Sequence, residues 1–600
     1  MLAGNSIAKG HQCCSALSYT HPCVSNTIRV IRPNATTRNE FFDCLGNSNN
    51  CPFAFKVIPD KPLSHVNRVL GWMEERPSFH EISRPCNSAQ FLLKVNDVLP
   101  PTLEVSPSYS MGVNTSRRHV ISTGRCSSFR TTMASLATAG KLTAKSSVFH
   151  KGSRAEKERE RRMGREYKEK DAAAEYYSDT SGTERIAYIT DNNDALLYRL
   201  GMIEEAEKSI ILSTFDFNDD EAGQDILSAL LNAADRGVDI RVIVDGISGF
   251  MDVQHNPWFL ALDAHKNAQV RIYNPVNFLK PWDMQARLHD KYLIIDDQMY
   301  TLGGRNTTNL FLGDYSKGKN IDKELFVYET DPGKNMQNTS MSQLQTYFDS
   351  IWDSSDSKPC RGSRNGKKTV EKTEALKKHY KELQKKYPAA YEKQNWEELT
   401  FETNKITLLS NPIESENKEP WMWYSLHRLM MSGKQATIYT PYIICGREMY
   451  DDLSQLTDNN VSVEIITNDV AKGANPWGCT DYLNEKEKIW RTGVKVYEYM
   501  APHSCHTKAV LIDDRMSIVG SYNLDMRSTY LDTELMLAVD STELNAIIRK
   551  EAEHDKTFSK TMENGKYTYG ENYKTKELST GKKLFYATLR QIIKPLRRFL

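Results

Sequence analysis

Two strings of eighteen residues share a pattern suited to handling a phosphate ester. The first carries His289, Lys291, Asp296, Gly303, Gly304 and Asn306; the second carries His506, Lys508, Asp513, Gly520, Ser521 and Asn523 at the same spacings. Every position is offset by 217, no gap is needed, and eight of the eighteen residues are identical. Strand geometry puts residues i and i+2 on one face, so His289 would project beside Lys291, and His506 beside Lys508. The glycine turns let the chain double back and return Asn306 and Asn523 toward the same place. Converging imidazoles supply a nucleophile and a proton carrier, while ammonium and carboxamide groups hold anionic oxygens. One His-x-Lys pair is common in exposed strands, and an Asp at a strand end often does no more than form a turn. Two copies with matching tails are far more specific.

The strings sit in two halves built in the same order. In the first, apolar spacing from Leu196 to Ala206 predicts a helix, and 209–215 reads as a buried strand. A second helix over 225–235 is stopped by Gly237, and 238–244 is another strand. In the second half, strands over 437–442, 461–466 and 494–497 take the places of those at 209–215, 238–244 and 270–273. The alternation predicts an α/β protein of two tandem lobes, each a mixed sheet flanked by helices.

Six hundred residues exceed a single hydrophobic core. Lys and Arg number 78 against 77 Asp and Glu, so the whole chain lacks the excess charge of a nucleic-acid binder. The balance hides an asymmetry: residues 1–150 hold sixteen basic and eight acidic side chains, leaving 62 against 69 downstream. Seven of the eleven cysteines also lie in 1–150. This part, rich in Ser, Thr, Asn and Pro, reads as a low-order basic leader with no chemistry of its own. Residues 151–184 read as a charged linker or helix, 185–353 as the first lobe and 401–545 as the second. Between them, 354–400 reads as an exposed, charged helical insertion, and 546–600 as a basic amphipathic tail suited to an anionic lipid interface. No apolar run reaches the ~18 residues of a spanning helix. The four downstream cysteines show no metal-ligand spacing.

The paired strings resemble those of the phospholipase D superfamily, over about 360 residues from Arg185 to Val539. The second half is most similar to bacterial cardiolipin synthases, which carry Gly-Ser-x-Asn-x-Asp-x-Arg-Ser followed by a Glu; here the string is Gly520 to Ser528, then Glu534. Thr440-Pro441-Tyr442 and Thr467-Asn468 fit the same branch, while Asp532 stands where that branch would have Asn. The resemblance implies two lobes packed as a pseudo-twofold pair around one active site. It implies a covalent phosphohistidine on His289, with His506 as acid and base, and Lys291, Lys508, Asn306 and Asn523 holding the non-bridging oxygens. Asp296 and Asp513 would support the histidines, and Glu324 and Glu534, with Ser521, are candidates for orienting them. No cofactor or metal is implied. The implied substrates are phospholipids, phosphatidylglycerol among them, met at the surface of a bacterial cytoplasmic membrane with no protein partner. A phospholipase D-type hydrolase is the alternative, and a nuclease of the superfamily a weaker one. The tail around Arg527 and Ser528, the apolar run 256–262 and the basic C-terminal segment favour lipid over nucleic acid.

Overall fold

In the computed structural model, the described residues are 15–20, 27–32, 57–58 and 173–600 apart from 281–282, 334–338, 415–417, 474 and 577. Three strands near the N-terminus, Ser15–Thr20, Thr27–Arg32 and Val57–Ile58, form a separate antiparallel sheet. The leader expected over the rest of 1–150 and the linker expected over 151–172 lie outside the described residues.

The first lobe is a nine-stranded sheet. Its strands are β1 (Glu184–Ile189), β2 (Ser209–Thr214), β3 (Asp239–Asp245), β4 (Ala268–Tyr273), β5 (Tyr292–Ile295), β6 (Met299–Gly303), β8 (Glu324–Glu329), β9 (Ser357–Pro359) and β10 (Phe401–Glu402), in the order β9-β4-β3-β2-β5-β6-β8-β1-β10. The short β7 (Asn320–Ile321) lies outside it. The second lobe repeats the plan with β11 (Lys405–Ser410), β12 (Gln435–Tyr439), β13 (Ser462–Asn468), β14 (Lys495–Tyr499), β16 (Ala509–Ile512), β17 (Met516–Gly520), β18 (Leu535–Asp540), β19 (Ser559–Glu563) and β20 (Lys566–Tyr569), ordered β11-β18-β17-β16-β12-β13-β14-β19-β20. The short β15 (Ser504–Cys505) pairs with β7 of the other lobe. In each lobe three strands run parallel and the motif hairpin joins them antiparallel, so both sheets are mixed. Two mixed sheets flanked by helices are the architecture expected from the alternation.

Helices on the parallel strands follow from local sequence. In α1 (Asn192–Glu205), the Asp191 carboxylate caps the free N–H groups of Asn193 and Asp194. Helix α2 (Glu221–Arg236) ends at Gly237, whose φ of 104° is open to glycine. Each lobe has its own outer core, and a third apolar layer joins the two inner sheet faces: Ile211, Tyr292, Ile294 and Leu302 of one lobe share it with Leu511, Val519, Leu535 and Leu537 of the other. Duplicated sheets that bury a shared face set the two motif hairpins against each other.

Three boundaries differ from the expectation. Residues 354–400 are packed, not exposed: β9 extends the first sheet, and α5 (Lys367–Lys386), which follows α3 (Pro257–Asp263) and α4 (Ser340–Trp352), buries Leu376, Tyr380 and Leu383. Its apolar groups recur only once per turn among lysines and glutamates, a stripe that overall polarity conceals. The first sheet closes with β10, so 401–402 belong to the first lobe. In the second lobe β19 and β20 lie beyond residue 545, and only the final helix and turn are left as a tail. The run 256–262 is also no surface patch, since α3 buries Phe259, Leu260 and Leu262.

Candidate active site

Each histidine is set in place by the opposite lobe. His506 follows β15, whose parallel pairing with β7 gives its N–H a bond to the Ile321 carbonyl, 2.7 Å away. His289 is held in the same way: the Thr533 N–H donates to the Arg287 carbonyl, and the His289 N–H donates to the Thr533 hydroxyl at 3.1 Å. The ends of the parallel strands complete the support. Asp245, last residue of β3, accepts from the Leu288 N–H at 2.9 Å, and Asn468, last residue of β13, brackets the Cys505 backbone at 2.7 and 2.9 Å.

The side chains then cross between lobes. His289 Nδ1 lies 2.8 Å from Glu534 Oε1, and His506 Nδ1 lies 2.6 Å from Asp322 Oδ2. Glu534 therefore stands against the opposite histidine, but Glu324 does not. The Glu324 carboxylate is buried against Arg199, with both bonds at 2.7 Å, and against Arg305. Asp322 is the counterpart of Glu534 because each lies two residues before the partner of a motif glycine, Gly303 with Glu324 and Gly520 with Met536. The neighbouring position differs between the lobes. A Cβ on Gly304 would strike the Asp322 carboxylate, whereas Ser521 donates its hydroxyl to Glu534.

Both lysines are buried beside their histidines. Lys291 Nζ donates to the His289 carbonyl, and Lys508 Nζ lies 3.1 Å from His506 Nε2 and 3.6 Å from Asp322. Phe215 and Phe311 meet His289 and His506 edge-on, with ring centres 5.3 and 5.0 Å apart. Asn523 Nδ2 donates to the Tyr442 hydroxyl at 3.2 Å; Asn306 and Asn523 each keep a buried side-chain oxygen with no protein partner. Among the described residues no group of three or more His, Cys, Asp or Glu is arranged to hold a metal ion.

The electrostatics are asymmetric. Burial, then the Lys291 and Lys508 charges, hold the His289 imidazole well below its usual range, and burial with Lys508 pushes His506 down to about 4. Burial also lowers Lys291 to about 8. The two carboxyl groups diverge. Burial raises Glu534 to about 8, while at Asp322 Lys508, His506 and Arg305 outweigh burial and hold the carboxyl well below its usual range. Asp532, paired with Arg527 at 3.1 Å, is pushed up to about 8 by burial. Here Asp532 stands where the resemblance expects Asn, and it meets Arg527 instead. Lys418, absent from the sequence reading, is buried within electrostatic reach of Asp532 and Glu534, and burial pushes it down to about 8.

Asp296 and Asp513 are elsewhere. Seven residues of extended chain at ~3.3 Å each place them about 20 Å from their histidines. Both adopt positive φ, 53° and 48°, at the β5–β6 and β16–β17 turns. The Asp296 carboxylate accepts from the N–H groups of Glu207, Lys208 and Ser209 at 3.0, 2.8 and 2.7 Å; Asp513 accepts from Lys434 and Gln435 at 2.8 and 3.0 Å. These residues pin the hairpin to the start of β2 or β12 and do not touch the imidazoles. We expect Asp296→Ala to cost about 2–4 kcal/mol of stability, the loss of charge-assisted bonds to backbone donors, and to leave turnover of the folded enzyme within a few-fold. Thermal unfolding paired with kcat tests this; a hundredfold fall in kcat at unchanged stability would return Asp296 to the chemistry.

Two mixed sheets present paired His-Lys hairpins across one interface, and the chain is a phospholipid-modifying enzyme whose two lobes carry a PLD-like domain. Residues 200–352 and 426–556 match the family described as cardiolipin synthase, PLD-like domain. The chain is 25% identical to cardiolipin synthase C of Escherichia coli over 398 residues, 60% of this chain and 81% of that one. It is 24% identical to cardiolipin synthase 1 of Staphylococcus aureus over 419 residues, 69% and 73% of the two chains. An uncharacterized protein of Helicobacter pylori is 26% identical over 398 residues, 59% of this chain and 75% of that one. The crystal structure of phosphatidylserine synthase from Haemophilus influenzae superposes with a TM-score of 0.51 at 17% identity, over 71% of this chain and 99% of that one, and so shares the fold.

Proposed function

We propose that the protein is a phosphatidyltransferase that condenses phosphatidylglycerol with a second phospholipid at a membrane surface. The observation that carries this reading is the pair of imidazoles, each bonded at Nδ1 to a carboxylate of the opposite lobe and each flanked by a buried lysine. A carboxylate at Nδ1 fixes the tautomer and leaves Nε2 for chemistry. His289 Nε2 attacks phosphorus; the bond to the leaving glycerol oxygen breaks, and His506 Nε2–H gives that oxygen its proton. The hydroxyl of the incoming lipid then returns a proton to His506 and attacks phosphorus, and the P–N bond breaks to free His289. Lys291, Lys508, Asn306 and Asn523 take the charge of the non-bridging oxygens. The similarity to enzymes named cardiolipin synthase supports a lipid hydroxyl as acceptor. Among the described residues no helix is long and apolar enough to cross a membrane.

The enzyme incubated with phosphatidylglycerol vesicles is expected to release glycerol and form cardiolipin in equal amounts, as measured by mass spectrometry of the lipids. Phosphatidic acid without cardiolipin would replace transfer by hydrolysis. Neither product in the wild type, with soluble phosphodiesters still cleaved, would overturn the phospholipid reading.

A further inference from the structure

The ends of the parallel strands carry more than the site. The segment after β3 forms two short helical turns, Gly246–Ser248 and Gly249–Val253, that leave Phe250 and Met251 exposed. The loop after β4 exposes Phe278 and Leu279 at 71% and 87%. Phe250 and Phe278 meet edge-on with ring centres 5.6 Å apart, so the two segments form one apolar prominence. It is anchored beside the catalytic centre: Asp245 bonds the Leu288 N–H, and Asn274 bonds the chain on either side of the loop's return, at Ala286 and Arg287. Four bulky apolar side chains lifted into water at a site mouth are costly to keep there unless something covers them.

The second lobe supplies a complementary margin. After β13, the first turn of α8 (Pro476–Arg491), which follows α6 (Trp421–Met431) and α7 (Arg447–Asp458), exposes Trp477, next to Gly478, which packs on the Tyr442 ring. Tyr442 in turn bonds Asn523, so this edge also borders the site. The last helix, α11 (Thr580–Ile592), follows α9 (Met526–Tyr530) and α10 (Thr542–Thr557) and lies along α8; Arg590 bonds Asn484, and beyond the helix Arg597 pairs with Asp481 at 2.6 Å. It exposes Leu584 together with Lys582 and Lys583. Burial and then the charges of Lys576 and Lys582 lower the Lys472 ammonium, so both lysines lie within electrostatic reach of it. The two margins are tied at Arg527, which donates to the Gln285 carbonyl at 2.7 Å and to the Phe599 carbonyl at 3.1 Å.

We infer that this rim, the apolar prominence of the first lobe with the lysine and Trp477 margin of the second, is the surface by which the enzyme seats its mouth on an anionic lipid bilayer. Apolar side chains enter the boundary of the acyl chains while ammonium groups meet lipid phosphates, the division of labour of an interfacial protein. The inference rests on the phospholipid reading, and binding is therefore measured apart from turnover.

The probe is a vesicle of phosphatidylglycerol and phosphatidylcholine in equal parts, tested by sedimentation of the full chain. The substitutions F278S and L279S together are expected to lower partitioning by at least about tenfold, the loss of two buried apolar side chains. K576E with K582E should lower it further on anionic vesicles and hardly at all on phosphatidylcholine alone. Cleavage of a water-soluble phosphodiester by the apolar variant should stay within twofold. Phe278→Trp keeps the bulk, so it should bind as the wild type does and be quenched by lipids brominated on the acyl chains. Unchanged partitioning of the apolar variant, or no quenching at position 278, would overturn the inference. So would a wild-type dimer that the same substitutions convert to a monomer without lipid, since a second copy would then be the occupant. Vesicle binding lost on substitution, in a protein that modifies no phospholipid, would sustain the surface and overturn the function instead.

Discussion

Replacing His289 or His506 by Ala is expected to lower transfer from the natural phosphodiester by ~10⁵–10⁶, the scale on which a covalent mechanism loses its central groups. The two variants should part company on an activated substrate. An aryl leaving group departs as a stable anion and needs no proton, so His506→Ala should still form the phosphoenzyme from an aryl phosphodiester and then stall, because no base activates the acceptor. His289→Ala should form none. The asymmetry of the carboxyl groups fits these roles. Asp322 is held firmly ionised by Lys508 and Arg305, so it can sustain an imidazolium on His506. Glu534 is pushed up to about 8 by burial and offers His289 less charge, which keeps that imidazole neutral and nucleophilic. In the site without substrate, burial and two lysines strip both histidines of their protons. An entering phosphodiester brings the negative charge that offsets the lysines, and the histidine beside the stronger anion recovers its proton first. Acid-quench trapping of the labelled enzyme decides the assignment; label retained in His289→Ala and lost in His506→Ala would reverse it.

The residues assigned these roles are unequally visible in the sequence. The duplicated His, Lys and Asn were legible because strand alternation and an unbroken offset of 217 carry them, and the repeated strand order revealed two lobes. The carboxylates were harder. Each meets a histidine of the other lobe, 184 or 245 residues away, and no local period links such positions. The loops that deliver them also differ in length: Asp322 is sixteen residues after Asn306, and Glu534 is eleven after Asn523. Matching Glu324-Leu325 to Glu534-Leu535 by eye therefore selects the wrong residue. Pairing each motif glycine with its neighbour strand would have found the right one. Asp296 and Asp513 were misplaced for a different reason: an invariant spacing within a repeat marks the hairpin turn as readily as the chemistry. The packed segment 354–400 was concealed by its surface, since one apolar residue per turn is enough to dock a lysine-rich helix.

That register yields the sharpest contrast between neighbours. Asp322→Asn preserves shape and removes the charge that steadies His506; the expected cost is ~10³–10⁴ in kcat, as for a serine-protease triad that loses its aspartate. It also leaves the buried Lys508 without its anion, so stability should fall as well, and activity should recover poorly with pH because the imidazolium has lost its partner at every pH. Glu324→Gln, two residues along the same chain, should lose stability while keeping the chemistry. It leaves Arg199 and Arg305 buried without their anion, which costs about 3–5 kcal/mol of stability. The folded fraction of that variant should turn over a soluble phosphodiester nearly as the wild type does, because no bond from Glu324 reaches an imidazole. Denaturant unfolding alongside kcat corrected for folded protein separates the two. If Glu324→Gln were the stable and inactive variant and Asp322→Asn the unstable and active one, the pairing of histidines with carboxylates across the lobes would be wrong, and the proton path through His506 would have to be redrawn.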